Sequence, residues 1–233
     1  HGKSLDVIDF IMHKENLTKH EAIKQAENLI TGNPGHTAAS KEIFLAKMFS
    51  YFKNAVHNSK PAQEYIKSRK LDFTKLEIGY NAAQFHHGTR KDETLIAQCL
   101  QYGLLMDSDM IGNTGNKAYR TFGKSCIVFA LKNKAGQVSS LYFRSILNQE
   151  DARHFYLKDR SGLYPGYPKT GTKKLILTES IIDAATLLQL KEISENYNIV
   201  AAYGTNGLNE EIVKAIKELK ELEEIVFAFD TDE

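Results

Sequence analysis

Four carboxylates near the end of the sequence have types and spacing that could do chemistry: Glu179, Asp183, Asp230 and Asp232. Glu179 directly follows an apolar run at 174–178, and Asp230 and Asp232 follow another at 224–229. If both runs are strands of one parallel sheet, the acids gather beyond its carboxyl edge, where such sheets bind ligands. Extended backbone through Thr231 would point Asp230 and Asp232 to the same side. Asp183 falls on the first turn of the following helix, facing the same mouth. Clustered carboxylates repel one another and need a cation. Mg2+ is the natural partner, because it is hard, prefers oxygen, and keeps waters that phosphates can replace. Such a site suits phosphoryl transfer. Between these strands, Tyr203-Gly204-Thr205-Asn206-Gly207 ends a third apolar run. Gly204, Thr205 and Gly207 are therefore expected to let backbone approach a phosphate near a helix N-terminus. The plainer alternative is that these acids only cap helices or face water at strand ends.

The elements that must position them alternate cleanly over the last sixty residues. Strands are expected at 174–178, 198–203 and 224–229, with helices at 181–193 and 208–222. On the second helix, Leu208, Ile212, Ala215, Ile216, Leu219 and Leu222 share a face. This order argues for a parallel sheet with helical crossovers. Upstream, 126–131 and 138–143 read as strands joined by the turn Asn133-Lys134-Ala135-Gly136. Helices are expected at 40–57, 61–69 (Pro61 in its first turn) and 91–102, with 73–88 a mixed loop and 153–168 an irregular aromatic and basic one. The first thirty residues read as helical, with a capping box from Thr18 to Glu21. Residues 31–39 form a Gly/Pro linker. The fold class is α/β: an α+β part followed by a parallel α/β part.

Charge is uneven along a chain of 233 residues whose net charge is only +1. Six cations and no acid lie between 117 and 149, whereas nine acids face three lysines from 205 onwards. A basic middle before an acidic end suits a protein that holds an anionic polymer beside a metal. Hydrophobic content of 42% and charged content of 25% are ordinary for a globular protein. No apolar run reaches the roughly 20 residues of a membrane span, and no signal peptide opens the chain, so the expected location is the cytoplasm. Cys99 and Cys126 are too far apart to suggest a disulfide framework or zinc knuckle. His86-His87 reads as a plain loop pair. Tyr142, Phe155, Tyr156, Tyr164 and Tyr167 lie among cations, where rings either stack on unpaired bases or pack in the core.

The stretch "LILTESIIDAATLLQL…IVAAYGTNGL…IVFAFDTD" resembles the Toprim fold, with its strand-ending Glu, Gly-containing middle loop and later Asp-x-Asp. "SCIVFALKNKAGQVSSLYFRSI" resembles the segment before Toprim in bacterial DnaG-type primases, with Gly136, Val138 and Arg144 on matching positions. "EYIKSRKLDFTKLEIGYN" resembles the primase Y-L-x-x-R-G-L stretch, with Arg69 in place, and "RHFYLKDRSGLYPGYP" resembles its basic loop. "HGKSLDVIDFIMHKENLTKHEAIKQA" resembles the segment after the last zinc ligand of a primase zinc ribbon. Two departures stand out: Cys126 replaces the family's Arg, with Lys124 as the candidate substitute, and Phe155 replaces its Lys, with Arg153 and His154 just before.

The resemblance implies the end of a zinc-binding domain at 1–32, a linker at 33–39, the N-terminal subdomain of a primase core at 40–172, and a Toprim subdomain at 173–233. It implies a DNA primase making short RNA primers by Mg2+- or Mn2+-dependent nucleotidyl transfer. Glu179, Asp230 and Asp232 would be catalytic, with Asp183 completing the metal set. Arg144, Lys124, Arg120, Arg153, Lys158 and Arg69 would bind nucleic acid or nucleotide. Implied partners are a single-stranded DNA template, ribonucleoside triphosphates and a replicative helicase, with no membrane. Zinc is expected only in a part upstream of His1, and the Toprim subdomain to be cut short after Glu233, as in a fragment or a mobile-element primase. The alternatives are a non-catalytic nucleic-acid-binding Toprim protein and a Toprim-type metal-dependent nuclease.

Overall fold

The structure is a computed structural model. It describes residues 8, 9, 12, 14, 18, 19, 22, 38–87, 92–111, 115, 117–147, 154–202 and 208–230. The chain divides into two compact units, His1–Lys41 and Glu42–Glu233. In the first, Ile8 and Met12 pack against the buried Ala22, whose N–H donates to the Thr18 carbonyl at 2.9 Å. That is the helical start expected at Thr18. Glu21 lies outside the described residues, so the expected capping box is not seen.

Helix α1 (Ala38–Val56) begins two residues earlier than expected, and the second unit takes it up from Glu42. Its Phe44, Leu45, Met48, Phe49 and Phe52 recur at helical spacing and are buried. α2 (Lys60–Ser68) starts where Ser59 accepts the Ala62 N–H and Pro61 fills the first turn. α3 (Glu93–Gln101) is capped by Asp92. Among them run β1 (Gly79–Asn81), β4 (Cys126–Lys132), β5 (Val138–Ser145) and β6 (His154–Tyr156), an antiparallel sheet in the order β1-β4-β5-β6. A hairpin of β2 (Leu105–Ile111) and β3 (Lys117–Thr121) forms a sheet of its own.

Strand β4 is apolar at successive positions because both its faces are covered. Ile127, Phe129 and Leu131 join a core with α2, while Cys126, Val128 and Ala130 join another with α1 and Cys99 of α3. This is the period of two made visible.

The last part is a parallel sheet in the order β8-β7-β9, built from β7 (Lys174–Thr178), β8 (Asn198–Ala201) and β9 (Glu224–Ala228). Helices α4 (Ile181–Leu188), α5 (Lys191–Ser194) and α6 (Glu210–Lys217) complete it. The expected alternation is therefore present, and β7 lies between its neighbours with Thr178 level with Ala201 and Ala228. Leu175 and Leu177 face the core with Ile212 and Ala215 of α6, whereas Ile176 faces the core with Ala184 and Ala185 of α4. On α6 the expected face is buried or half-buried from Ile212 to Leu222, but Leu208 is exposed.

That second core is shared. Val56, Ala62, Ile66, Phe129 and Tyr142 belong to the same cluster as Ile176, Ile181, Ala184 and Ile199. The antiparallel sheet and the parallel sheet are thus joined by one apolar interior, and loop 161–168 stitches them at the surface. Lys132 and Leu163 exchange backbone hydrogen bonds at 2.9 Å each, and the next residue, Tyr164, accepts the Ala201 N–H at 3.0 Å.

Several expectations differ from the structure: β1 lies in the stretch read as a mixed loop, and α6 ends at Lys217, five residues before the expected end. Residues 105–121 form a hairpin that the sequence does not announce, because Asp107, Ser108 and Asp109 interrupt any apolar alternation. Strand β6 lies in the stretch read as an irregular loop, and its three residues are too few for periodicity to show. The helix expected over 181–193 breaks at Gln189. Its side chain accepts the Asp72 N–H at 2.6 Å and donates to the Lys70 carbonyl at 3.2 Å, while Leu190 is extended. Two side-chain bonds to the α2–β1 connection hold the helix end in place.

Candidate metal and phosphate cleft

Glu179 leaves the carboxyl end of β7, where its N–H donates to the Ala228 carbonyl at 3.3 Å. Its Oε2 accepts the Asp230 N–H at 3.1 Å. The parallel register therefore brings Glu179 and Asp230 side by side, as their positions after two strands required. Asp183 sits in the first turn of α4 and lines the same cleft. Its carboxylate closes a capping box: Oδ2 accepts from the Ser180 N–H at 3.2 Å and hydroxyl at 2.6 Å, and the Ser180 oxygen accepts the Asp183 N–H at 3.3 Å. Asp183 is thus occupied in starting the helix. Asp232 and the loop residues Gly204, Thr205 and Gly207 lie outside the described residues.

These acids form one wall of a cleft of about 400 Å3. The other wall carries Arg69, Tyr142, Arg144, His154 and Tyr156. Arg69 comes from the end of α2, with its guanidinium 5.5 Å from the Tyr65 ring. Arg144 comes from β5, and its Nε–H donates to the Tyr65 hydroxyl at 3.2 Å. Cations thus stand on the antiparallel sheet and anions on the parallel one. The cleft exists because the shared core packs the two sheets together.

The donor set suits a hard divalent cation. Glu179 and Asp230 offer carboxylate oxygens in an open, water-accessible cleft, which is the setting in which such an ion keeps several waters. Among the described residues no three His, Cys, Asp or Glu side chains stand close enough to hold an ion by themselves. Glu179 and Asp230 would hold it as a pair, with water and phosphate completing the shell.

The remaining basic residues do not gather here. Arg120 and Lys124 line a second cavity of about 600 Å3, with His86, His87, Asp107 and Asp109. Lys158 is exposed, and Arg153 lies outside the described residues. Arg69 and Arg144 thus line one cavity, and Arg120 and Lys124 another. Of the aromatics, Tyr142 and Tyr164 are buried in the shared core and Phe155 packs in the other. Tyr167 instead donates its hydroxyl to Glu211. Tyr156 reaches the cleft, where burial pushes its phenol up to about 12 against the opposing pull of Arg160, whose guanidinium lies 4.7 Å from the ring. Sequence reasoning missed Tyr65 and left His154 without a role. His154 lies opposite Arg144 in the β5–β6 register, and no sequence signal gives that register across the intervening residues.

Residues 176–233 match a family model described as Toprim-like. No curated protein sequence matches the chain. Solved structures do. The zinc-binding and RNA polymerase domains of the Aquifex aeolicus primase superpose with a TM-score of 0.63 at 19% identity, over 98% of this chain and 58% of that one. The fold is that of a DnaG primase catalytic core. A DnaG catalytic domain bound to single-stranded DNA superposes with a TM-score of 0.61 at 13% identity, over 82% of this chain and 63% of that one. The RNA polymerase domain of Mycobacterium tuberculosis DnaG in complex with double-stranded DNA gives 0.59 at 14% identity, over 83% and 64%. The chain thus spans about three fifths of the length of these primase structures. In this DnaG-like fold the acids lie at the carboxyl edge of the Toprim-like sheet and Arg144 lies on the sheet before it. No helix among the described residues is long and apolar enough to cross a membrane.

Proposed function

We propose that the chain is the catalytic part of a DNA primase, which joins ribonucleotides into short primers on single-stranded DNA. One observation carries this reading: Arg69 and Arg144 stand in the same cleft as Glu179 and Asp230. A nucleoside triphosphate needs that pairing, with arginines for phosphate oxygens and carboxylates for the metal that accompanies them. The DNA bound in two of the structurally similar primases supports a DNA template here.

In this mechanism the residues position rather than transform. Glu179 and Asp230, joined by Asp232, would hold Mg2+ or Mn2+. The bound metal supplies charge stabilisation at the α-phosphate. Arg144 and Arg69 donate to phosphate oxygens from the opposite wall. The primer 3′-hydroxyl oxygen forms a bond to the α-phosphorus as its proton passes to water, the bond from that phosphorus to the bridging oxygen breaks, and pyrophosphate leaves. Asp183 supports the site through α4, whose first turn it caps. Arg120, Lys124, Lys158 and Arg153 contact the template backbone, and Gly204, Thr205 and Gly207 the phosphates. By domain, 1–32 is the end of a zinc-binding domain, 33–39 a linker, 40–172 the first subdomain of the core and 173–233 its Toprim subdomain. A replicative helicase is a further partner, and the cytoplasm the place of action.

Primer synthesis tests this. With a single-stranded template, ribonucleoside triphosphates and Mg2+ or Mn2+, the protein makes short RNA, and Glu179→Gln lowers the yield about a hundredfold or more. Full synthesis by Glu179→Gln would refute the mechanism. DNA cleavage without primers would favour a nuclease, and DNA binding with neither product a silent module.

A further inference from the structure

Arg144 is a long side chain on a strand end, and a guanidinium left to itself samples many rotamers. Here three side chains surround it. Tyr65 accepts its Nε–H at 3.2 Å. Its Nη1 meets His154 Nε2 and lies 3.3 Å from Nδ1. His154 stands directly across from it on β6. Tyr142, two residues before Arg144 on the same side of β5, completes the group: its hydroxyl lies 2.6 Å from His154 Nδ1, and the two rings are 5.8 Å apart.

The chemistry of these groups assigns the protons. A guanidinium only donates and keeps its charge. The ring nitrogen it faces, Nε2, must therefore present a lone pair. The hydrogen of the neutral imidazole is then on Nδ1, where it donates to the Tyr142 oxygen. Tyr142 is 1% exposed, and burial pushes its phenol far up, so it remains a neutral hydroxyl there. The opposite tautomer would set N–H against N–H between His154 and Arg144.

We propose that His154 is a positioning residue: fixed as the Nδ1–H tautomer by Tyr142, it holds the Arg144 guanidinium in the cleft that contains Glu179 and Asp230. What Arg144 then grips, a phosphate oxygen, rests on the primase reading above. The hold itself does not. A guanidinium already restrained loses less side-chain freedom when an anion arrives.

Nitrogen NMR of the 233-residue chain tests the hold. Long-range proton–nitrogen spectra are expected to show His154 with its hydrogen on Nδ1, and the Arg144 Nη1 hydrogens as a slowly exchanging signal. In His154→Ala that signal broadens into fast exchange, and affinity for a short oligo-dT falls about tenfold, the worth of one charge-assisted hydrogen bond. His154→Gln, whose amide oxygen can accept from Arg144, restores both. Tyr142→Phe leaves the fold intact by its amide spectrum and shifts His154 towards the other tautomer. A hydrogen on Nε2 in the unaltered protein, or an unchanged Arg144 signal in both His154→Ala and Tyr142→Phe, overturns the proposal. A lost signal with unchanged oligo-dT affinity keeps His154 as the holder of Arg144 and counts instead against the phosphate role given to the cleft.

Discussion

Glu179 and Arg144 show how little of a site's chemistry is local. Each is an ordinary charged residue at a strand end, and each becomes specific only through the other's presence across the cleft. Arg144 is the sharper probe, because Lys124 and Arg120 line a different cavity. If Arg144 takes one phosphate, Arg144→Ala weakens binding of single-stranded DNA and reduces the slope of log affinity against log salt by about 0.7, as for the loss of one ionic contact. Fluorescence titration with oligo-dT over a salt series measures both. An unchanged slope would mean that Arg144 meets no phosphate. Substitution of Glu179 should leave that slope in place while removing synthesis, since the acid serves the metal and not the strand.

Loop 161–168 is an element in its own right, because it joins the two sheets. Gly162 makes the join possible. Its φ is +87°, and an added Cβ would lie 2.9 Å from the Lys132 carbonyl and closer still to the Ser139 hydroxyl. Its N–H also donates to Glu211 at 2.9 Å. Gly162→Ala is expected to cost about 2 kcal/mol or more, lowering Tm by about 4–8 °C for a chain of this size. A thermal scan decides it. Beside this loop, Glu77 links α1 to β4 through Lys53 at 2.7 Å and Lys132 at 3.0 Å. The hydrogen bond from Lys53 holds the Glu77 carboxyl below its ordinary value, with Lys132 adding to the effect. A depressed carboxylate stabilises the fold above the unfolded-state pKa, near 4.5, and that stabilisation is lost as pH falls through the folded value. The pair is half-exposed and water screens it, so Glu77→Gln should cost under about 1 kcal/mol at neutral pH. Urea melts at a series of pH values should show the deficit shrinking below pH 4.5. A deficit that persists into stronger acid would show that charge is not its source.

On the scale of the whole unit from Glu42 onwards, the antiparallel and parallel sheets stand or fall together, because one core serves both. Phe129 is central to it, fully buried and in edge contact with Tyr164 at 5.3 Å. Phe129→Ala is expected to cost about 3–5 kcal/mol. Hydrogen exchange should show protection falling in β7 as well as in β4. Loss confined to β4 would mean that the sheets fold independently and that the cleft is a seam between separate bodies.

Much of this was legible in the sequence. Strand β7 was readable to the residue, because a parallel sheet covered on both faces leaves an unbroken apolar run. The acids after β7 and β9 were readable because strand ends can be placed when strands can, although β9 is an edge strand with Val226 and Phe227 exposed. Helices read from 61, 91 and 208 start within two residues of those positions, where the side chains of Ser59, Asp92 and Asn209 cap the backbone. What the sequence could not decide is non-local. It did not place β6, because three residues carry no period. It did not reveal the pairing of β2 with β3, whose polar residues Asp107, Ser108 and Asp109 are exposed or half-buried and so carry no apolar period. It did not show that Arg69 and Arg144 would line the cleft of Glu179 while Arg120 and Lys124 line another cavity. Above all it gave no sign that His154 and Tyr142 would meet Arg144. Local pattern sets which residues can be strand, helix or ligand; tertiary register decides which of them meet.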